Sequence, residues 1–282
     1  MRKVLVPTDF SENAFNALKY ASQIFKYEKS EFLIVHTYAD EVYRKVPEAK
    51  RDLLEELKDE TLRRSETELK SILARIKEYA PNPQHKFRAI SVFGALIDEV
   101  HDLVNEENMD IVVMGTRGAT NDKKIAFGSN TLQLMKYVHC PVLAIPEGYE
   151  YHPPKEILFP TNYMVPYKRR ELKLLCDMTD SFRSTIHILY IDPVRNLSLR
   201  QADNREFLKN CLKKPKLTFE TTLEKDKTTA ITKYMAHHAI NMLVLVNSRH
   251  SYMEDMLYQS TIDKIGLHIK IPFLVLQNVS RK

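Results

Sequence analysis

The 282 residues are 44% hydrophobic and carry 42 basic against 37 acidic side chains, a net charge of +5. That content supports ordinary buried cores rather than disorder, and the well-mixed charge offers nucleic acid no concentrated basic face, so no nucleic-acid partner is expected. Three widely spaced cysteines, Cys140, Cys176 and Cys211, form neither a disulfide framework nor a CxxC motif, which suits a reducing, cytoplasmic setting.

The opening MRKVLVPTDF has an apolar run that stops at Pro7, too short for a secretory signal. Nowhere do about eighteen apolar residues run together, so no membrane partner is expected either. KVLVPTD (3–9) reads as a strand, followed by Ser11 as N-cap of a helix over 12–26. Phe15, Leu18, Ala21, Ser22 and Phe25 share one face of that helix. FLIVHTY (32–38) is a second apolar strand. The charged segment 48–79 repeats apolar residues at Leu53, Leu54, Leu57, Leu62, Leu69, Ile72, Leu73 and Ile76, which reads as a solvated helix with one packed stripe or as a coiled coil for a protein partner. A strand over 85–92, a helix over 95–107, a strand over 111–114, a glycine-bearing loop, a helix over 130–138 and a strand over 142–145 complete the first half. EGYEYHPPKE (147–156) is punctuated as a linker.

Beyond it the chain repeats itself. KVLVPTD returns as EILFPTN (156–162), FLIVHTY as IHILYID (186–192), DIVVMG (110–115) as MLVLVN (242–247), and CPVLAIP (140–146) as IPFLVLQ (271–277). Four strands in the same order imply two domains, 1–147 and 154–282. Continuous apolar strands alternating with helices imply a parallel, doubly wound sheet in each, whose ligands sit beyond the carboxyl ends of the strands. Pairing of the two closing strands would make the chain a pseudo-dimer, with pairing of whole chains into a homodimer left open.

Three of only six glycines fall in VVMGTRGATNDKKIAFGSNT (112–131). Gly115 at a strand end allows close backbone approach, and Gly118 permits positive φ. Gly128 and Ser129 precede a helix whose N-terminus can hold phosphate, and Thr131 adds a hydroxyl. Arg117, Lys123 and Lys124 could offset phosphate charge. The spacing is neither a P-loop nor a G-x-G-x-x-G fingerprint, and as a bare pattern it fits a turn as well as a ligand site.

Strand one ending in PTDFS, the G-x2-G-x9-G-S stretch from Gly115, and the closing CPVLAIP strand resemble the universal stress protein family over 1–147, and in degraded form over the second half. The resemblance implies a five-stranded parallel sheet flanked by helices in each repeat and an adenine-nucleotide pocket, for ATP or a relative, with Mg²⁺ as an added option. It implies that Pro7, Thr8 and Asp9 contact the nucleoside, that Met114 and Gly115 line it, and that Gly118, Gly128, Ser129, Asn130 and Thr131 hold ribose and phosphates. Thr37, after His36, stands where the family often packs a valine on adenine. In the second repeat Asn162 replaces Asp9, Asn247 replaces Gly115 and Gln259 falls near Gly128, so that repeat is expected to bind no nucleotide.

The expectation is a cytosolic nucleotide-binding regulatory protein of the stress response, with a non-nucleotide scaffold for an unidentified protein partner as the alternative. No general base is placed opposite the phosphate loop, so no enzyme is expected beyond slow, incidental hydrolysis. His237, His238, His250 and His268 match no metal-ligand spacing, and Cys140 beside His139 reads as a packed thiol.

Overall fold

A computed structural model describes residues 1–45, 51–116, 128–165, 167–192, 196–247 and 270–278. The first half contributes β1 (Arg2–Pro7), α1 (Glu12–Ile24), β2 (Ser30–Thr37), α2 (Ala39–Lys45), α3 (Arg51–Tyr79), β3 (His85–Val92), α4 (Leu96–Glu106), β4 (Ile111–Gly115), α5 (Ser129–Tyr137) and β5 (Val142–Ile145). The second contributes β6 (Glu156–Thr161), α6 (Arg169–Asp180), β7 (Thr185–Ile191), α7 (Leu199–Cys211), β8 (Lys216–Thr222), α8 (Lys227–His237), β9 (Met242–Asn247) and β10 (Phe273–Gln277).

These strands form one ten-stranded sheet in the order β3-β2-β1-β4-β5-β10-β9-β6-β7-β8. Each half has the order 3-2-1-4-5 in its own strands, all parallel, and the halves meet where β5 and β10 pair antiparallel through Val142 with Val275, Leu143 with Leu274 and Ala144 with Phe273. The expected pairing of closing strands is therefore present, and it leaves neither of them as an edge. A structural pseudo-dimer within one chain results.

Alternation of side chains across the pleat sends β-strand residues into two cores. Val4, Val6, Phe32, Ile34, Ile111 and Val113 pack against α1 and α3, while Leu5, Leu33, Val35, Val112 and Met114 pack against α4 and α5. Helices thus cover both faces, as apolar strands with no polar face require. On α3 the buried residues Thr61, Ser65, Leu69, Ile72 and Ile76 recur every three or four positions, giving the packed stripe. That stripe lies on this chain's own sheet. The short helix α2 and the second half's α6, α7, β8 and α8 lie beyond the elements expected from sequence.

A cavity of about 500 Å³ opens at the amino ends of the first half's strands, between Arg2, Glu28 and Asp110 of that half and Arg170, Glu171 and Asp177 of α6. Its walls are tied by ion pairs from Arg2 to Asp177 at 3.3 Å and from Arg170 to Asp110 at 3.9 Å. It lies at the seam between the halves, on the edge opposite the carboxyl ends of β1 and β4.

Candidate functional site

In the first half the strand order reverses between β1 and β4, whose ladder pairs Val4 with Ile111 and Leu5 with Val112. The connections leaving these two strands diverge, which opens a crevice beyond Pro7 and Gly115. Thr8 extends β1 by donating its N–H to the Val35 carbonyl at 2.8 Å. The chain then turns sharply. Thr8 Oγ1 accepts the Phe10 N–H at 3.1 Å, and Asp9 Oδ1 accepts the Ser11 N–H at 3.1 Å and the Ser11 hydroxyl at 2.6 Å. Phe10 takes φ of 64°, in the left-handed region, and lays its ring 4.3 Å from His36. Ser11 Oγ in turn accepts the Ala14 N–H at 3.1 Å and caps α1. Asp9 stays exposed at the crevice while its Oδ1 holds the turn.

Across the crevice, Thr116 donates its N–H to the Ile145 carbonyl at 2.9 Å, and the Gly128 N–H donates to the Thr116 carbonyl at 2.7 Å. Those two bonds bring the start of α5 against the end of β4. Gly128 is the N-cap, with extended φ and ψ of −64° and 157° and no side-chain cap, and Ser129 and Asn130 are exposed. The first turn carries no acidic side chain. Thr131 is buried, and its hydroxyl donates to the Gly115 carbonyl at 3.1 Å and the Thr116 carbonyl at 3.2 Å. It therefore pins the helix start to the strand.

Pro7, Thr8, Asp9, Met114, Gly115, Gly128, Ser129, Asn130 and Thr131 accordingly share one edge of the sheet. Thr37 sits half-buried at the end of β2, one strand further out. Met114 is buried with Leu5 against α4 and α5. Arg117 and Gly118, with Lys123 and Lys124, lie outside the described residues.

Behind the turn lies a polar chain that sequence reasoning missed. His36 Nδ1 meets Ser65 Oγ at 2.7 Å, and Ser65 Oγ meets Ser91 Oγ at 2.6 Å, linking β2, α3 and β3. Burial lowers the imidazole to about 4, so the ring is neutral across physiological pH. Thr61 and Ser65 are the polar members of the buried stripe on α3, and that break in its apolar pattern is the signal in the sequence for this contact.

The corresponding edge of the second half is built differently. Asn162 Oδ1 accepts the Met164 N–H at 3.0 Å, and Thr161 Oγ1 accepts the Tyr163 N–H at 2.8 Å. The Tyr167 hydroxyl closes on Thr161 Oγ1 at 2.5 Å, and Gln201 donates to the Asn162 carbonyl at 2.9 Å. Gln259 lies outside the described residues, as do His250 and His268. His237 and His238 bond the carbonyls of Lys233 and Tyr234 in their own helix at 2.7 and 3.0 Å. Among the described residues no three His, Cys, Asp or Glu side chains gather as a metal would need, and no helix is long and apolar enough to cross a membrane.

Residues 1–146 match the family model for the universal stress protein family. A universal stress protein of Methanocaldococcus jannaschii is 33% identical over 157 residues, covering 51% of this chain and 94% of that protein. A second from the same organism is 28% identical over 145 residues, covering 51% of this chain and 81% of the relative. Over the full length, the crystal structure of a universal stress protein from Archaeoglobus fulgidus superposes with a TM-score of 0.68 at 17% identity, covering 98% of each chain. At that identity the likeness speaks to the fold, and it extends through both halves. The chain belongs to the universal stress protein family.

Proposed function

We propose that the first repeat binds an adenine nucleotide of the ATP class at the crevice between β1 and β4, and that the second repeat binds none. The observation that carries the reading is the start of α5. Its first turn opens at a glycine N-cap with no side-chain acceptor, beside the strand ends that flank the switch point. Such a turn presents backbone N–H groups and a partial positive charge to phosphate. Asp9 on the facing turn supplies a charged acceptor for sugar hydroxyls, or for Mg²⁺ through water. In the second repeat an amide replaces that charge and Tyr167 fills against Thr161.

The chain then acts as a binding regulator in the cytosol rather than as an enzyme. Calorimetric titration of the full chain with ATP is expected to give one site per chain. Asp9→Asn keeps the turn, as Asn162 does, yet removes the charge, and is expected to weaken ATP about tenfold, or about 1.4 kcal/mol. Asn162→Ala is expected to leave it unchanged. Two nucleotides per chain would overturn the assignment to one repeat, and turnover well above background would overturn the non-enzymatic reading.

A further inference from the structure

The helix that opens the candidate phosphate site is gripped at its other end by the second repeat. Asn247 Nδ2 donates to the carbonyls of Met135 at 3.1 Å and Lys136 at 3.3 Å, and also to Gln277 Oε1 at 2.8 Å. Gln277 Nε2 donates to the Met135 carbonyl at 2.8 Å. Met135 and Lys136 belong to the last turn of α5, where carbonyls lack partners within the helix. Two side-chain amides from β9 and β10 thus satisfy acceptors on a helix of the other repeat. Gln277 is only 1% exposed, and the Val138 N–H already caps Leu134, so the carbonyls of Leu134, Met135 and Lys136 each meet a donor.

The asymmetry of the arrangement gives it meaning. Matched through the strand ladders, Val246 stands at the position of Gly115 and Asn247 at that of Thr116, one residue on from the alignment of the bare sequences, while Gln277 stands at the position of Pro146. Proline has no side-chain donor and Thr116 has one hydroxyl in place of an amide, so the first repeat lacks the pair of amides that make the grip. The second repeat thus carries two amide donors where the first carries none, and both reach the helix of the repeat that kept the glycine. Met135 and Lys136 are six and seven residues beyond Ser129, so at about 1.5 Å per residue the grip lies about 10 Å from the start of α5 along a single element.

We infer that Asn247 and Gln277 are positioning residues for the phosphate end of the first repeat's site, acting through α5. The inference rests on the nucleotide reading above, and its test separates the two. ATP and adenosine are titrated into the full wild-type chain and into Asn247→Ala and Gln277→Glu, with amide exchange across α5 measured in the ligand-free proteins. Glu is isosteric with Gln but turns an oxygen toward the Met135 carbonyl in place of a donor. The half-exposed Asn247→Ala supplies a readout should Gln277→Glu fold poorly.

The expected result is faster exchange in α5 and ATP binding weakened about fivefold, the worth of one such hydrogen bond, while adenosine binding stays within about twofold. A general loss of stability would weaken both ligands alike, and that outcome overturns the inference. Unchanged ATP affinity in both variants overturns it as well. Wild-type protein that binds neither ligand overturns the nucleotide reading first and the inference with it.

Discussion

Two turns at equivalent places in the two repeats have nearly the same backbone and different chemistry. After β1, Thr8 and Asp9 accept the N–H groups of Phe10 and Ser11 at 3.1 Å each, with φ of 64° at Phe10. After β6, Thr161 and Asn162 accept those of Tyr163 and Met164 at 2.8 and 3.0 Å, with φ of 56° at Tyr163. Each places an aromatic ring over the next strand, Phe10 on His36 and Tyr163 stacked 5.3 Å from Tyr190. The turn is therefore a property of the fold, indifferent to whether a carboxylate or an amide closes it. What separates the repeats is the charge of Asp9 and the bare strand end at Gly115. Those are the features a bound anion and its sugar would use.

The largest test asks whether the repeats are one folding unit or two. Leu274 is fully buried in β10, paired with Leu143 across the seam and Val244 on the other side. Leu274→Asp would bury an unpaired carboxylate there, a cost of at least about 4 kcal/mol, comparable with much of a domain's stability. A single cooperative loss of both halves is expected by circular dichroism. If amide protection in β2 and β3 survives at wild-type level, the halves fold independently and the comparison is between two domains rather than two ends of one sheet.

Much of this organisation was legible in the chain itself. Val142–Ile145 occupies the strand expected of it because a fully buried strand leaves an uninterrupted apolar run, and His85–Val92 also lies where a strand is expected, as a half-buried edge strand. The recurrence of PTD as PTN located both turns. Lys216–Thr222 carries no such signal, because β8 lies at the sheet's edge with no buried residue and three threonines among its seven, so no apolar run marks it. The helices of the second half carry weaker periodic signals between strands that were easier to find. Within the site, proximity of Asp9 and Gly115 followed from topology. The commitment of the Thr131 hydroxyl to Gly115 and Thr116 did not, since a helix-start threonine looks the same in sequence whether it faces a ligand or the backbone behind it. The bonds from Asn247 and Gln277 to α5 depend on the antiparallel seam, which no local pattern encodes.

A smaller effect sharpens the contrast between His36 and Tyr190, which stand at matching positions of β2 and β7. His36 is 6% exposed and held at about 4, below its ordinary 6.5. The unfolded chain therefore binds the proton more readily than the folded one, and stability falls with acidification. The contribution is complete above about pH 6.5 and shrinks toward pH 4, amounting to about 3 kcal/mol over that window. Tyr190 gains no proton there. His36→Asn is expected to flatten the slope of unfolding free energy against pH between about 4 and 6.5. An unaltered slope would mean that the His36, Ser65 and Ser91 chain does not exclude the proton.

The smallest effect separates helix stability from ligand binding at the same atom position. Ser129 is the first residue of α5, exposed, in a first turn without acidic side chains. Ser129→Glu places a negative charge where the helix dipole favours it, so the ligand-free protein should gain about 0.3–1 kcal/mol. The same carboxylate would repel phosphate, so ATP should bind less tightly while adenosine is unaffected. A rise in melting temperature coupled to weaker ATP binding is the signature of a phosphate site at this turn, because a defect in folding would lower both. If ATP binding is unchanged while the protein is stabilised, phosphate does not lie at the start of α5. The glycines at 115 and 128 would then serve the approach of β4 to its helix alone, and the difference between the two repeats would come down to the charge on Asp9.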